Sequence, residues 1–300
     1  MGNYLGEIAA LGTSVCWTFT SIFFTISGRR VGSVIVNQTR LALAVVFLSL
    51  THFLILGQWW PVGAGSYRWF WLGLSGVIGL ALGDALLFQA FVMIGPRRSM
   101  LLMALVPIYS TIIAWFFLGE TLSGLEMVAI GLTVGGVAWV VSEREETDGA
   151  QADPKLYWLG VLAGLGGALG QALGLVISKK GMAGDFSPLS ATLIRMIVAA
   201  ALIWSFALFR GRIGPTLRAL TDRQASLAIL GGAIAGPFLG VWLSLRAVNL
   251  TEVGIAATLM ALSPVLILLP SYWIFGEHIG PRAIIGTIVA FAGVALIFLL

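Results

Sequence analysis

The chain has 300 residues, 59% of them hydrophobic and only 10% charged, with 17 Lys and Arg against 13 Asp and Glu for a net charge of +4. Soluble domains carry charge on about a quarter of their residues, so this composition excludes an ordinary water-soluble globule. It also excludes a nucleic-acid-binding face, because the longest polar stretch is acidic; anionic lipid headgroups suit the slight basic excess better.

The apolar residues gather into ten blocks, each of about 20 residues, enough to cross a ~30 Å hydrocarbon core as a helix. Backbone amides find no water there, and the alternating pattern of a membrane barrel is absent, so the blocks are expected to be helices. The first, Leu5–Ile26, lacks the basic start and cleavage site of a signal peptide and is expected to remain in the mature protein. It carries Ser14, Thr18, Ser21 and Thr25 on one face, beside Trp17 and the single cysteine, Cys16. The second, Ile35–Leu56, opens with Asn37 and Gln38, interfacial groups or substrate contacts, and holds Arg40. The third, Trp69–Phe91, contains Asp84 and Gln89; the fourth, Met100–Leu118, contains Pro107 and Tyr109; the fifth is Leu125–Val141.

The hydrophilic run from Glu143 to Lys155 reads as a flexible linker. It divides a first repeat, residues 1–142, from a second, residues 157–300, with residues 143–156 between them. The second repeat spans Tyr157–Ser178, Pro188–Phe209, Ser226–Arg246, Gly254–Phe275 and Pro281–Leu299. Trp59, Trp60, Trp69 and Trp158 lie at span ends, as an interfacial belt requires.

The two halves share a sequence pattern. An offset of 157 residues sets Gly79 on Gly236, Gly83 on Gly240, Met103-Ala104-Leu105 on Met260-Ala261-Leu262, and Pro107 on Pro264. It also sets Gly119-Glu120 on Gly276-Glu277 and Gly136-Val137-Ala138 on Gly293-Val294-Ala295. An offset of 155 aligns the earlier part, with Gly12 on Gly167 and Arg40 on Arg195. A repeat this long is a duplicated bundle. Because each half has an odd number of spans, the second enters the membrane from the opposite side, giving inverted repeats with a substrate site expected near the midplane. The loops after spans one, three, five, seven and nine hold eleven Lys and Arg against four on the other side, which places both termini outside the cytoplasm.

Few strongly polar groups fall within the spans, and each is costly there unless paired or facing a cavity. Arg40 and Asp84 lie at similar depth and are expected to pair, either as a structural brace or as a pair that opens during transport while Asp84 takes up a proton. Arg195 repeats Arg40, but the position matching Asp84 is Val241. Three readings of Arg195 stay open: pairing with Glu7 or Glu252, docking of an anionic or zwitterionic substrate, or snorkelling to headgroups. Gln89 and Gln171 either line a polar cavity or bond between helices. The small-residue faces of span one and of span six (Gly164, Gly167, Gln171, Gly174, Ser178) pack closely or line the path, with Trp17 and Tyr109 as its apolar walls. Pro107 and Pro264 fall mid-span as hinges or static bends. His52 and His278 are far apart and no Cys/His cluster exists, so neither metal nor cofactor is expected.

With the run from Pro107 to Phe117-Leu118-Gly119-Glu120, its counterpart from Pro264 to Phe275-Gly276-Glu277, the glycine-rich fifth and tenth spans, and Arg40 and Arg195 early in spans two and seven, the chain resembles the EamA family. That family belongs to the drug/metabolite transporter superfamily, and the resemblance covers essentially the whole chain. It implies a ten-helix carrier in the cell membrane, monomer or homodimer, that exports amino acids or related zwitterions, with Glu120 and Glu277 capping the helix that follows each. Without a nucleotide-binding or hydrolase motif, an enzyme is not expected and the driving energy comes from a gradient, with protons as the candidate coupling ion. A multidrug efflux carrier and, from another class, a membrane-embedded protein that transports nothing are the alternatives.

Overall fold

The structure is a computed structural model and describes residues 4–141, 154–266 and 280–300, all of them helical or in short connections. The first half contains α1 (Leu5–Val31), α2 (Ser33–Leu56), α3 (Gly65–Ser75), a π-helical segment (Gly76–Gly83), α4 (Asp84–Met103), α5 (Val106–Leu118) and α6 (Gly124–Val141). The second contains α7 (Pro154–Gly181), α8 (Pro188–Phe209), the short α9 (Ile213–Ala219), α10 (Arg223–Ala233), a second π-helical segment (Ile234–Gly240), α11 (Val241–Leu250), α12 (Val253–Met260), α13 (Ser263–Leu266) and α14 (Pro281–Leu299).

Among the described residues, six stretches are long and apolar enough to cross a membrane: Leu5–Gly28, Val34–Leu56, Gly65–Ala90, Lys155–Gly181, Pro188–Phe209 and Arg223–Leu250. Three shorter apolar helices, Val106–Leu118, Gly124–Trp139 and Ile284–Leu299, accompany them. The later part of the expected ninth span lies outside the described residues, as do Glu277, His278 and most of the linker. Large apolar side chains such as Leu54, Phe116 and Phe209 stand exposed on the outer surface. A surface of this kind is stable against acyl chains and costly in water.

Two sequence expectations need correction. The loop expected between Phe91 and Met100 is wound as helix, because α4 runs on to Met103. Charge and proline mark where a chain leaves the hydrocarbon; they do not oblige the backbone to stop forming helical hydrogen bonds. Pro107 is also not a mid-helix kink. The helix stops at Met103, tightens at Ala104–Leu105 through a Leu105 N–H bond to the Leu102 carbonyl (3.1 Å), and restarts with Pro107 in the first turn of α5. Proline lacks an N–H and its ring clashes with the carbonyl four residues back, so a fresh helix start accommodates it better than a continuous helix. The second half breaks at the matching place: α12 ends at Met260 and α13 opens at Ser263, with Pro264 as its second residue.

The packing repeats across the halves. α2 lies on α8 and α6 on α14, while α7 packs along α3, its π-helical segment and α4, just as α1 packs along α10, the second π-helical segment and α11. The two π-helical segments occupy equivalent places in the repeat. Glycine permits these approaches. A Cβ placed on Gly76 would lie 2.5 Å from the Arg195 carbonyl oxygen, and one on Gly174 would lie 3.0 Å from the Gly79 Cα. A helical glycine costs about 1 kcal/mol relative to alanine, a loss offset here by close backbone packing between helices. α2 and α5 each end on a left-handed glycine, Gly57 (φ 71°) and Gly119 (φ 70°), a conformation glycine adopts without Cβ strain.

Candidate functional site

Where α2, α4 and α7 meet, the bundle encloses a cluster of charge. Arg40, 2% exposed, forms an ion pair with Asp84 through Nη2 and Oδ2. Its Nε donates to Asn37 Oδ1 at 2.8 Å, one helical turn earlier on α2. Its guanidinium also lies over the rings of Phe24 and Phe88, 5.6 and 5.3 Å from their centroids. Asp84 opens α4 directly after the π-helical segment. Its second oxygen accepts from Gln171 Nε2 at 2.5 Å, and the same amide nitrogen reaches the Gly79 carbonyl at 3.3 Å. That carbonyl also accepts from the Asp84 backbone N–H at the end of the π-helical segment, and glycine at 79, 170 and 174 brings α7 close enough for Gln171 to reach it as well. Both halves therefore contribute to one satisfied network, the condition under which buried charges are tolerated.

Arg195, on α8, also lies against this π-helical segment. It is also 2% exposed, and its Nη2 stands 3.4 Å from where a Gly79 Cβ would be. The Asp84 carboxylate interacts electrostatically with both guanidinium groups. Of the expected partners for Arg195, Glu7 and Glu252 are bonded elsewhere: their carboxylates accept from Thr251 Oγ1 at 3.1 and 3.3 Å. They sit at the starts of α1 and α12, whereas Arg195 is wholly covered seven residues into α8, which also removes the snorkelling reading.

The other sequence candidates are placed apart from this cluster. Gln89 is exposed on α4, as is its repeat partner Arg246 on α11. Trp17 is half-buried and packs against the core formed by Leu41, Leu80 and Val241. Tyr109 is half-buried on α5, and Pro107 is buried at the start of that helix. The hydroxyls of Ser14, Thr18 and Ser21 bond back to carbonyls of α1, so that face packs rather than offering free donors. His52 is held between the Gln58 carbonyl (2.5 Å) and Ser190 Oγ (2.9 Å), a structural role. No group of three His, Cys, Asp or Glu suited to a metal exists among the described residues. Two surface clefts, of about 480 and 370 Å³, lie at the α2–α10 and α1–α2–α9 junctions and are lined by none of Arg40, Asp84, Gln171 or Arg195.

Each end of the bundle carries its own polar tie. Lys179 at the end of α7 pairs with Glu120 Oε1 at 2.7 Å and donates to the Thr251 carbonyl at 2.7 Å, while Glu120 Oε2 accepts from the Val253 amide at 2.8 Å. Glu120 thus caps α12 of the opposite half, not α6, which follows it in sequence. α6 is capped locally, by a reciprocal pair in which Ser123 N–H donates to Glu126 Oε2 (2.6 Å) and Glu126 N–H to Ser123 Oγ (3.2 Å). At the other end Arg30 Nε donates to Asp222 Oδ2 at 2.8 Å and the Ala225 amide to Asp222 Oδ1 at 3.0 Å. The Ala225 amide first, and Arg30 after it, hold the Asp222 carboxyl below the usual carboxylate range.

A helical bundle with an apolar outer surface and a sealed ionic network spanning both halves defines a multi-pass membrane protein. Residues 4–142 and 158–299 each match the EamA-like transporter family, and the chain belongs to that family. It is similar to two proteins named threonine/homoserine exporter RhtA, from Salmonella typhimurium strains SL1344 and LT2. With each it shares 27% identity over 156 residues, covering 50% of either sequence; the chain thus matches about half the length of these curated relatives. A solved crystal structure superposes with a TM-score of 0.77 at 16% identity, covering 99% of this chain and 98% of that one, which establishes the likeness of fold.

Proposed function

We propose that the chain is a secondary active carrier of ten membrane-crossing helices, built as two inverted halves (residues 1–142 and 157–300) on a polar linker, that exports amino acids or related zwitterions across the cell membrane. The observation that carries this reading is the buried Arg40–Asp84–Gln171 network. Charge held in the membrane interior is expensive, and in carriers it marks the substrate or proton path at the interface between repeats. The helix breaks before Pro107 and Pro264 leave two matched places where each half can bend. The two threonine/homoserine exporters to which the chain is similar point to threonine and homoserine as the first substrates to try. No nucleotide motif is present in the sequence, so transport runs on a gradient; Asp84 takes up the proton when its pair with Arg40 opens. The positive-inside count supports both termini on the extracytoplasmic side.

The test is uptake into proteoliposomes from a panel of amino acids and cationic drugs, with and without an imposed proton gradient. The expected result is gradient-stimulated flux of threonine or homoserine, with the gradient dependence lost in Asp84→Asn. Flux confined to the drugs replaces this reading with toxic-compound efflux. Retained proton coupling in Asp84→Asn removes Asp84 from the coupling role.

A further inference from the structure

Arg40 and Arg195 stand at equivalent places in the two halves, yet the Arg40 guanidinium is hydrogen-bonded through Nε and Nη2 while that of Arg195 leaves two nitrogens unpaired among the described residues. Asn37, Asp84 and Gln171 satisfy the first cation and its counter-ion; at the repeat offsets they correspond to Thr192, Val241 and Cys16. Thr192 turns its hydroxyl back to the Pro188 carbonyl at 2.8 Å, and Val241 brings a hydrocarbon where Asp84 brings a carboxylate. Nε and Nη1 of Arg195 are left buried without a hydrogen-bond partner among the described residues. A guanidinium keeps its proton, so two buried cations share one buried carboxylate. An uncompensated buried charge is destabilising until an opposite charge reaches it. The neighbouring Gly79 brings no side chain to Arg195, and its carbonyl already accepts from the Asp84 backbone N–H and from Gln171.

We propose that Arg195 is the docking group for the carboxylate of a zwitterionic substrate. The substrate supplies to the second half the acidic partner that Asp84 supplies to the first. This assignment rests on the transport reading above and adds to it one atom-level contact. A carboxylate bonded to a guanidinium in a dry interior gains from charge assistance, and an uncharged analogue leaves the same buried donors open.

The experiment uses the full chain in proteoliposomes and measures labelled L-threonine uptake competed by unlabelled L-threonine or by L-threonine amide. The amide keeps the ammonium and side chain and lacks the carboxylate. The expected outcome is that the amide competes at least about tenfold more weakly. Arg195→Gln should raise the half-saturation concentration by a similar factor with a smaller change in maximal rate, and Arg195→Lys should recover part of the loss. Equal competition by the amide, or an unchanged half-saturation concentration in Arg195→Gln, overturns the assignment. If Arg195→Gln does not yield a folded protein, the wild-type competition decides alone. Wild-type protein that carries no amino acid brings down the transport reading and this one together, whereas threonine uptake with equal amide competition brings down only the docking of the carboxylate.

Discussion

Arg40 and Arg195 are the same residue at the same place in two copies of one bundle, each 2% exposed. Around Arg40 the helices supply a carboxylate, an amide oxygen and two aromatic faces. Around Arg195 the corresponding positions are a valine, a threonine bonded to its own helix and, opposite Phe88, Leu245. The duplicated backbone therefore fixes where a cation sits but not what neutralises it. The half with the complete set holds its cation neutralised; the half with the incomplete set leaves guanidinium donors unpaired among the described residues.

The most direct way to break the contrast is to make both cations equal by removing the carboxylate. Asp84→Leu leaves two buried guanidinium groups with no counter-ion and should cost about 3–5 kcal/mol, read as a large drop in the thermal midpoint of the detergent-solubilised protein. An unchanged midpoint would mean that the network does not brace the fold. The complementary change sharpens the contrast: Val241→Asp gives Arg195 the partner that Arg40 has. It should keep the protein folded and weaken threonine competition by about a hundredfold, since a resident carboxylate now occupies the donors. Undiminished competition would place the substrate elsewhere. Asn37→Ala removes one bond from Arg40 and leaves the ion pair. The expected loss is about 1.5–3 kcal/mol, the range for a hydrogen bond to a charged group, measured as the same midpoint. A loss equal to that of Asp84→Leu would show that Asn37 and Asp84 act as one unit.

The smallest effect belongs to the rim. The Asp222 carboxyl is held below its usual range by the Ala225 amide and Arg30, so it adds stability above the unfolded carboxylate value of about 3.9 and loses it as pH falls through the lower folded value. Asp222→Asn should slightly lower the thermal midpoint at neutral pH. The difference should close under acid conditions and shrink in high salt, because the pair is exposed. A difference that grows with acid would reverse the sign of the assignment.

The pairing of Arg40 with Asp84 was legible in the sequence because two opposite charges at one depth in a membrane have few other options. Gln171 was legible as the polar interruption of a glycine face. The partners proposed for Arg195 were misplaced because Glu7 and Glu252, near in sequence depth, bond across to Thr251 at the helix starts. Hydropathy carries no information about hydrogen-bond register, so neither π-helical segment was foreseen, although glycine at 76, 79 and 83 marks the first. The same blindness turned a restart at Pro107 into a kink. Sequence marks Glu120 as a cap but not of which helix, since α12 lies far away in sequence and a carboxylate caps whichever amides reach it.

The contact between α6 and α14 has a mechanical consequence. A Cβ on Gly136 would collide with the backbone of Gly286 and Ala290, and one on Gly293 would lie 2.6 Å from the Thr133 nitrogen and 2.7 Å from the Ala129 oxygen. Sliding either helix by one residue, about 1.5 Å, would drive neighbouring side chains into backbone. The two helices are keyed like a shaft in its slot, and sliding one along the other is the costly displacement of this pair.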